Sequence, residues 1–409
     1  MRILLVTHYF PPELGAPQAR LSELARAWAA AGDDVTVLTG MPNHPTGVVH
    51  PAYAAAARRV ESADGYRVVR TWLYATRNEG FVRKTLGHLS FMVTSVLLGG
   101  RVVGRADVVV VSSPTFFSIA GAWLLSRLKR ARFVVEIRDL WPAIFVELGV
   151  LRNRQLIGVL ERLELAAYRA ADAVVVVSEG FRQDLIRRGV PKDKVHTVRN
   201  GVDIATFRRS APDADVRARL GATRDQTLVV YIGAHGISQG LATVVDAAAR
   251  LGPEVHVALV GEGADKARVA ARVRELAAAN VTMLPAVPRA EVPALLAAAD
   301  VCVVTLRDVP LFSTFIPSKM FEYLAAEAAV VGAVRGEAAG ILQEAGAVVV
   351  EPENPEALAE AVRQLAKDPD RRAAMGRTGR RYVEQHFDRD RLATTYRDIL
   401  RDVVTSAAS

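Results

Sequence analysis

The sequence predicts an α/β protein of two successive units, each an open parallel sheet wrapped by helices. Three observations support this prediction. The chain has 409 residues, more than one hydrophobic core usually supports. Short Val- and Ile-rich runs, typical of strands buried on both faces, alternate with longer stretches of helical periodicity. Glycine-bearing loops follow several of these runs, at the strand ends where open parallel sheets bind ligands.

The first unit is predicted over residues 1–200. Its strands are expected at Arg2–Thr7, Asp34–Thr39, Asp107–Val111, Arg132–Ile137 and Ala173–Val177. Its helices are expected at Gln18–Ala31 and near Thr115–Leu128, Arg154–Ala170 and Gly180–Arg188. This alternation predicts βαβ crossovers and therefore a parallel sheet.

The alternation pauses at Asn200–Asp203 and in the polar stretch Arg208–Arg219, where we expect the boundary between the units. The second unit is predicted over residues 201–385. Its strands are expected at Thr227–Ile232, Glu254–Val260, Val281–Leu284, Asp300–Thr305, Ala329–Gly332 and Ala347–Val350. Its helices are expected near Leu241–Leu251, Asp265–Ala279, Ala290–Ala298, Ser318–Ala328 and Asn354–Ala366. Residues 386–409 are predicted as a final helix that can cross back to the first unit.

The composition excludes several classes of protein. With 51% hydrophobic and 23% charged residues the chain is globular, and its single cysteine, Cys302, excludes a disulfide framework and a multi-cysteine metal site. The net charge of +8 fits an anionic partner or simply an arginine-rich composition. No nucleic-acid motif, signal peptide or spanning apolar run is recognised, so a cytoplasmic location is expected.

Four loops carry candidate ligand-binding residues. The first follows the first strand and contains Gly15 and Arg20, at a helix start that favours anions. The second and third follow strands of the second unit and bring glycine amides and polar side chains to the same sheet edge. Their candidate residues are Gly233, His235, Gly236, Gln239, Gly240, Gly261 and Gly263. The spacing is not G-x-G-x-x-G, and no acidic residue closes the next strand, which argues against NAD.

The fourth loop is the most specific, because it combines a helix start with a cation and a carboxylate. Ser318 is a candidate N-cap, and Lys319 lies in the first turn, where it opposes the helix dipole and needs a reason such as a bound phosphate. Glu322 follows one turn later and can accept hydrogen bonds from a ribose diol. A surface capping motif with a solvated lysine is the plain alternative.

Arg138 and Asp139 end a strand of the first unit and face the ligand-binding edge. An arginine cannot act as a general base, but it can bind an acceptor phosphate or the developing charge of a diphosphate. Asp139 can orient it or accept the proton of an acceptor hydroxyl. The alternative is a buried ion pair that braces the loop against Trp141. His8, His44 and His88 are expected to be isolated structural histidines, with His8 the best candidate for an exception because it lies at a strand end.

Read together, these segments resemble a known family. The opening THYFPPELGAPQAR, then NGVD, YIGAHGISQG, VGEG and PSKMFEYLA, resemble in order the retaining family 4 glycosyltransferases of the GT-B fold. The resemblance is greatest to the bacterial fucosamine and colanic-acid-type transferases of surface polysaccharide synthesis. It implies two Rossmann-like domains with parallel sheets facing a central cleft. It also implies a nucleoside diphosphate sugar, usually UDP-linked, on the second domain, an acceptor on the first, and no metal or other cofactor.

Two departures from the family pattern concern the donor site. The first of two glutamates expected eight residues apart falls on Thr314, so the transferred sugar would be contacted by the Thr314 hydroxyl or by amides of Thr314, Phe315 and Ile316. The family's phosphate-binding Arg and Lys fall near Ala234 and Gln239. Lys319 is the expected replacement, helped by His235 or Arg20. The catalytic residues are accordingly predicted as Arg138, Asp139 and Lys319.

Residues 81–105 suggest a membrane contact. Phe81–Leu98 is apolar with basic flanks, which suits a helix on an anionic bilayer, although a buried helix with solvated ends would read alike. The expected activity is transfer of a sugar to a lipid-linked or small-molecule acceptor, without a role for nucleic acid. A UDP-sugar 2-epimerase and a non-catalytic nucleotide-sugar-binding subunit are the alternatives.

Overall fold

The computed structural model describes residues 1–409 except 14, 45, 55, 77–80, 114–115, 141, 148–150 and 407–409. The chain divides into two compact units. Unit 1 comprises Met1–Arg199 and Asp390–Ser409, and unit 2 comprises Asn200–Arg389. The prediction of an α/β protein is confirmed, since each unit holds one sheet with helices around it.

The described part of unit 1 forms an eight-stranded sheet with the order β3-β4-β2-β1-β5-β6-β7-β8. Its strands are β1 (Arg2–Val6), β2 (Asp34–Gly40), β3 (Arg58–Ala63), β4 (Tyr66–Thr71), β5 (Val108–Ser112), β6 (Arg132–Ile137), β7 (Ala173–Val176) and β8 (Val195–Thr197). All neighbours pair in parallel except β3 and β4, which are antiparallel. Because β2 and β5 flank β1, the chain reverses direction across the sheet at β1, the place where open sheets bind ligands.

The helices of unit 1 connect these strands over both faces of the sheet. They are α1 (Ala16–Ala30), α2 (Phe81–Thr94) continued by a π-helical turn (Ser95–Gly99), α3 (Phe116–Lys129), α4 (Ala143–Glu147), α5 (Arg154–Ala170) and α6 (Glu179–Arg187). The helix α1 begins two residues earlier than predicted, because Pro17 is tolerated in a first turn, where no N–H partner is needed.

The described part of unit 2 forms a six-stranded parallel sheet with the order β11-β10-β9-β12-β13-β14. Its strands are β9 (Thr227–Ile232), β10 (Val255–Val260), β11 (Val281–Leu284), β12 (Val301–Thr305), β13 (Ala329–Ala333) and β14 (Val348–Val350). This is the 3-2-1-4-5-6 order of nucleotide-binding sheets, whose ligands bind where the strand order reverses. In unit 2 that place is the carboxyl ends of β9 and β12.

The helices of unit 2 follow the same alternation. They are α7 (Ala214–Arg219), α8 (Ala242–Ala248), α9 (Lys266–Glu275), α10 (Val292–Ala298), α11 (Lys319–Ala325), α12 (Gly336–Glu344), α13 (Pro355–Ala366) and α14 (Pro369–His386). A last helix, α15 (Arg389–Thr405), belongs to unit 1 almost entirely. It buries Ala393, Tyr396 and Leu400 in the core of that unit, and the indole N–H of Trp28 donates to the Ala393 carbonyl at 3.1 Å.

The sequence reading missed the edges of both units. The β3–β4 hairpin was not predicted, because β3 is a polar edge strand without apolar alternation. Its turn, Asp64–Gly65, has positive φ at both residues and carries the Asp-Gly signal of a two-residue hairpin. The sheet of unit 1 is therefore mixed rather than all-parallel, which corrects the prediction. The short strand β8 and the helix α12 were also missed.

Candidate active site

Two glycine loops of unit 2 lie backbone against backbone at the end of β9. The Gly233 N–H donates to Val260 O at 2.9 Å, and the His235 N–H donates to Glu262 O at 2.8 Å. A Cβ on Gly261 would stand 1.8 Å from Gly233 O, and one on Gly263 would stand 2.3 Å from His235 O. Both loops therefore require glycine for close packing, and the predicted neighbourhood of these residues is observed.

The loops after β9 and β12 also meet, as the strand order requires. The Thr305 hydroxyl donates to Gln239 O at 2.7 Å, and the Arg307 N–H donates to Ser238 O at 2.9 Å. Gly240 has φ of 60°, and a Cβ there would lie 3.1 Å from the Arg307 side chain. Beside this junction a cavity of about 370 Å³ is lined by Leu306–Pro310, Phe312, Ser313 and Arg335.

Lys319 projects from α11 onto the end of β9. Its ammonium lies 3.5 Å from the centroid of the Tyr231 ring, and a Cβ on Gly233 would stand 2.7 Å from Nζ. Nζ is buried and has no hydrogen-bond partner. Burial lowers the pKa of this lysine to about 7, and the nearby Glu322 only partly opposes that effect. The site thus holds an amine that titrates near neutral pH, without a hydrogen-bond acceptor, beside a glycine.

Tyr323 fixes the position of Lys319 relative to β9. Its hydroxyl accepts from the Ile232 N–H at 2.8 Å and donates to Ile232 O at 3.0 Å. Since Tyr323 lies on the same short helix as Lys319, this double hydrogen bond sets the distance between α11 and the strand end. Ser318 occupies the N-cap position of α11, but its side chain makes no capping hydrogen bond, which corrects the predicted cap.

His235 and Gln239 were predicted to bind the donor, but the His235 side chain is uncharged and the Gln239 side chain packs against its own loop. Burial, with Lys266 and Lys319 nearby, lowers the pKa of His235 to about 4, so the imidazole is neutral. It cannot replace a missing basic residue. The Gln239 side chain covers Gly236, where a Cβ would meet its Oε1 at 2.5 Å. Both residues shape the loop.

Glu322 is paired with a residue that the sequence analysis did not single out. Nη1 of Arg289 donates to its Oε1 at 3.0 Å. Arg289 follows β11, so it belongs to the same sheet edge as the glycine loops, and that position was the signal available in the sequence. The guanidinium also lies over the Phe207 ring at 5.3 Å. The pairing orients the carboxylate that was predicted to bind a ribose.

The loop around Thr314 is more self-contained than predicted. The Thr314 hydroxyl donates to Leu311 O at 2.7 Å, and the Phe315 N–H donates to Phe312 O at 3.1 Å. The hydroxyl oxygen keeps its capacity to accept a hydrogen bond, whereas the Phe315 amide is used. Ile316 is buried. A sugar contact from this loop would therefore involve Thr314 as an acceptor rather than the Phe315 amide.

In unit 1, Arg20 is committed to the fold. Its Nε donates to Glu136 Oε1 at 3.0 Å, and its two terminal nitrogens donate to Arg199 O at 3.0 Å and Val198 O at 3.1 Å. Both charged side chains of this pair are buried. The structure thus favours a structural role over the predicted donor-binding role. Gly15 packs against Gln18 at the start of α1.

Arg138 and Asp139 do end β6 as predicted, and the described residues offer Arg138 no ion pair. Its Nε and Nη1 are buried without hydrogen-bond partners. Burial raises the pKa of Asp139, while the neighbouring Arg138 lowers it. The predicted alternative, an ion pair that braces the loop, is not what the described geometry shows. Trp141, which that alternative invoked, lies outside the described residues.

Three histidines expected to be isolated are instead neighbours in unit 1. The rings of His8 and His88 lie 4.4 Å apart, and Tyr9 stands 5.3 Å from His44 and 4.4 Å from His8. Burial, with His88 and His44 nearby, holds the pKa of His8 well below its usual value. No group that fits a metal ion occurs among the described residues. The cluster was missed because α2 brings His88 to β1 from 80 positions away.

Family models match both units. Residues 15–201 match the glycosyl transferase 4-like domain, and residues 213–382 match glycosyl transferases group 1. Among curated relatives, a protein of Escherichia coli K12 described as a colanic acid biosynthesis glycosyl transferase, WcaI, is 29% identical over 98% of this chain and 100% of its own length. The alpha-maltose-1-phosphate synthase of Mycolicibacterium smegmatis is 28% identical over the same shares.

Solved structures share the fold. Sucrose-phosphate synthase from Thermosynechococcus elongatus superposes with a TM-score of 0.77 at 22% identity, over 100% of both chains. Anabaena HepE in complex with UDP and glucose gives 0.75 at 17% identity, over 98% of this chain and 100% of its own. Among the described residues, no helix is long and apolar enough to cross a membrane. The chain is a glycosyltransferase of the GT-B fold and belongs to family 4.

Proposed function

We propose that the chain transfers a sugar, with retention of configuration, from a nucleoside diphosphate sugar to an acceptor hydroxyl in surface polysaccharide or related glycoconjugate synthesis. UDP is the proposed nucleotide. The observation that carries this proposal is the buried, unpartnered ammonium of Lys319 against Gly233, where the strand order of unit 2 reverses. Unit 2 would bind the donor and unit 1 the acceptor.

The ammonium of Lys319 suits a diphosphate for an electrostatic reason. A cation buried without a partner is costly, and a bound phosphate oxygen supplies the missing counter-charge. Gly233 lies beside it and has no side chain to block the approach of an anion, while its own N–H is donated to Val260 O. As the bond between sugar and phosphate breaks, negative charge grows on the leaving diphosphate. A fixed cation there stabilises the transition state more than the ground state.

Glu322 is the proposed ribose ligand. Its Oε1 is occupied by Arg289, so the other oxygen is available for a diol. Support for uracil as the base comes from Anabaena HepE, whose structures are described as complexes with UDP and UDP-glucose. The link between that nucleotide and this chain is the shared fold.

The proposed chemistry is a front-face displacement. The acceptor oxygen attacks the anomeric carbon on the side from which the diphosphate leaves, and the departing phosphate oxygen takes the hydroxyl proton. No enzymic nucleophile is required, and no metal or other cofactor is proposed, because Lys319 supplies the positive charge. Asp139 is proposed to orient the acceptor, since a carboxylate of raised pKa accepts a hydrogen bond well.

Thermal unfolding of the full chain with UDP, GDP, ADP and dTDP, without metal, tests the donor. A ligand that binds only the folded state raises the midpoint temperature. At a ligand concentration one hundred times the dissociation constant, the free energy of unfolding rises by about 2.7 kcal/mol. We expect a shift with UDP above all. A larger shift with another nucleotide would change the assigned base. No shift with any of them, in a folded sample, would contradict the proposed donor site.

The protein is proposed to bind the cytoplasmic face of an anionic membrane, where it would glycosylate a lipid-linked acceptor. The helices α2 and α3 pack together in unit 1 and contain no acidic residue. Together with the π-helical turn after α2 they expose large apolar side chains, of which Leu97 and Leu128 are each 63% accessible. These side chains, named here the α2–α3 face, are Leu86, Val93, Leu97, Trp123, Leu124 and Leu128. Arg101, Arg105, Arg127, Lys129 and Arg130 lie near its ends, as expected for binding to anionic lipids.

Cosedimentation with vesicles tests this surface. The wild type should bind vesicles containing a third phosphatidylglycerol and not pure phosphatidylcholine. Leu97→Glu combined with Leu128→Glu should abolish that binding, whereas Val159→Glu, at an exposed apolar residue of α5, should leave it unchanged. Equal loss in both proteins, or no binding by the wild type, would exclude the α2–α3 face as a membrane contact.

A further inference from the structure

Arg138 is a half-buried cation that makes no ion pair among the described residues of unit 1. Nε and Nη1 are both buried and unpartnered. Unlike a lysine, an arginine cannot escape this cost by losing its proton, because its pKa stays far above neutrality even when burial lowers it. An uncompensated buried charge of this kind is strongly destabilising.

The carboxylates nearest to Arg138 in sequence, Glu136 and Asp139, offset its charge only in part. Glu136 precedes it by two residues and shares its face of the strand, but Arg20 already pairs with that carboxylate at 3.0 Å. Arg20 and Arg138 together hold the pKa of Glu136 below its usual value in spite of its burial. Two guanidiniums thus share one fully buried carboxylate. Asp139 makes no ion pair with Arg138 among the residues that the structure describes.

Arg138 lies at the edge of the sheet where open parallel sheets bind their ligands. Arg138 ends β6, next to β5 and one strand from β1, where the strand order of unit 1 reverses. Two unsatisfied nitrogens there lack acceptor oxygens, and an oxyanion supplies several. A structural arginine of the same unit, Arg20, shows the contrast, because each of its nitrogens donates to a protein oxygen.

We propose that Arg138 binds a phosphate group of a substrate. The inference rests on the proposed function, and it adds that a phosphate is recognised by unit 1 as well as by unit 2. The phosphate has two possible sources with one chemistry, a phosphorylated acceptor or the donor diphosphate. In both cases the oxyanion completes a site that the free protein leaves positively charged.

The test compares Arg138→Met and Arg138→Lys with the control Arg154→Gln, an exposed arginine of α5. All are made in a Lys319→Met background, so that phosphate does not report on unit 2. The midpoint of thermal unfolding is measured with 0–50 mM inorganic phosphate. Without phosphate, Arg138→Met should raise the midpoint by a few degrees, because it removes a buried unpaired charge. It should also abolish the shift that phosphate causes, while Arg138→Lys keeps part of it and the control keeps all of it.

A purely structural arginine gives the opposite result. If Arg138→Met lowers the midpoint without phosphate, or leaves the phosphate shift unchanged, the proposal is wrong, as it is if phosphate causes no shift in the background protein. UDP titrations with Lys319 intact then separate the sources. Loss of UDP affinity on Arg138→Met assigns the donor diphosphate, and unchanged affinity assigns a phosphorylated acceptor. Failure of UDP to bind at all would contradict the proposed function and leave the phosphate result to stand alone.

Discussion

The first strands of the two units sit in similar sheets, but the loops that follow them differ in how fully their polar groups are satisfied. After β1, the buried Glu13 accepts from the backbone N–H groups of Phe10, Asn43 and His44, at 3.0, 2.8 and 2.8 Å. After β9, the buried ammonium of Lys319 has no acceptor. The Gly233 and His235 N–H groups of the loop after β9 are paired too, so the difference lies in buried side-chain nitrogens: those of His235, and of Lys319 projecting from α11, lack partners, whereas the Glu13 carboxylate is satisfied.

This comparison separates residues that serve the fold from residues that serve a ligand. Arg20, Arg138 and Lys319 all lie at or near the end of a strand, so their place in the topology does not distinguish them. Their hydrogen bonds to protein oxygens do distinguish them. Arg20 is fully used by protein oxygens, and Arg138 and Lys319 are not.

The largest effect is expected on stability, for Arg20→Met. The change removes the ion-pair partner of the buried Glu136 and leaves only the weaker attraction of Arg138, so the expected cost lies at the lower end of the about 3–5 kcal/mol for breaking a buried pair. Differential scanning calorimetry should show a lower midpoint for the transition of unit 1 and unchanged UDP affinity in the protein that remains folded. An unchanged midpoint together with lost UDP binding would restore the donor-binding role predicted from the sequence.

A comparable effect is expected for Gly261→Ala, because the new methyl group would stand 1.8 Å from Gly233 O. Both loops must then move apart, at a cost of about 1–3 kcal/mol for overpacking, and UDP affinity should fall with them. The matched control is Gly340→Ala in α12, where a Cβ meets nothing within 4 Å. It should gain about 0.5–1 kcal/mol of helix stability. Equal urea-unfolding curves for the two variants would mean that the glycine loops are not tightly packed.

Lys319→Met should weaken UDP binding about a hundredfold, the equivalent of about 2.7 kcal/mol for a charge-assisted contact. The same substitution should raise the free energy of unfolding. The pKa of Lys319 is about 7 in the folded chain and near 10.5 when unfolded, so the charged form penalises folding fully below pH 7. The penalty fades between pH 7 and 10.5. Unfolding at pH 6 should therefore show a more stable variant, and a less stable one would point to a structural lysine.

The smallest effect is expected at the Arg289–Glu322 pair. Glu322→Gln and Arg289→Gln should each weaken UDP binding about tenfold, because the exposed part of the pair is screened by solvent. In a double-mutant cycle the second change should cost little once the first is made, since Arg289 acts by orienting Glu322. Additive losses measured by calorimetry would show instead that each residue contacts the nucleotide independently.

The sequence predicted the sheet architecture well and the state of individual polar atoms poorly. Val- and Ile-rich periodicity is a local property, so β9 and β12 were placed almost to the residue. The PSK segment was identified because Lys319 opposes a helix dipole. The pairing of Arg20 with Glu136 and of Arg289 with Glu322 joins residues 116 and 33 positions apart. Such contacts depend on packing, which no local pattern encodes, and the His8–His88 contact was missed for the same reason.

The most direct test of the account is whether UDP binding takes up a proton at Lys319. At pH 8.5 the Lys319 side chain of the free protein is mostly the neutral amine, because its pKa is about 7. A bound diphosphate should favour the protonated ammonium and so cause the uptake of a proton. Calorimetric titrations in two buffers of different ionisation enthalpy measure this uptake. We expect nearly one proton per UDP bound in the wild type and none in Lys319→Met. Tight UDP binding without proton uptake, or equal uptake by both proteins, would contradict the assignment of Lys319 to the diphosphate.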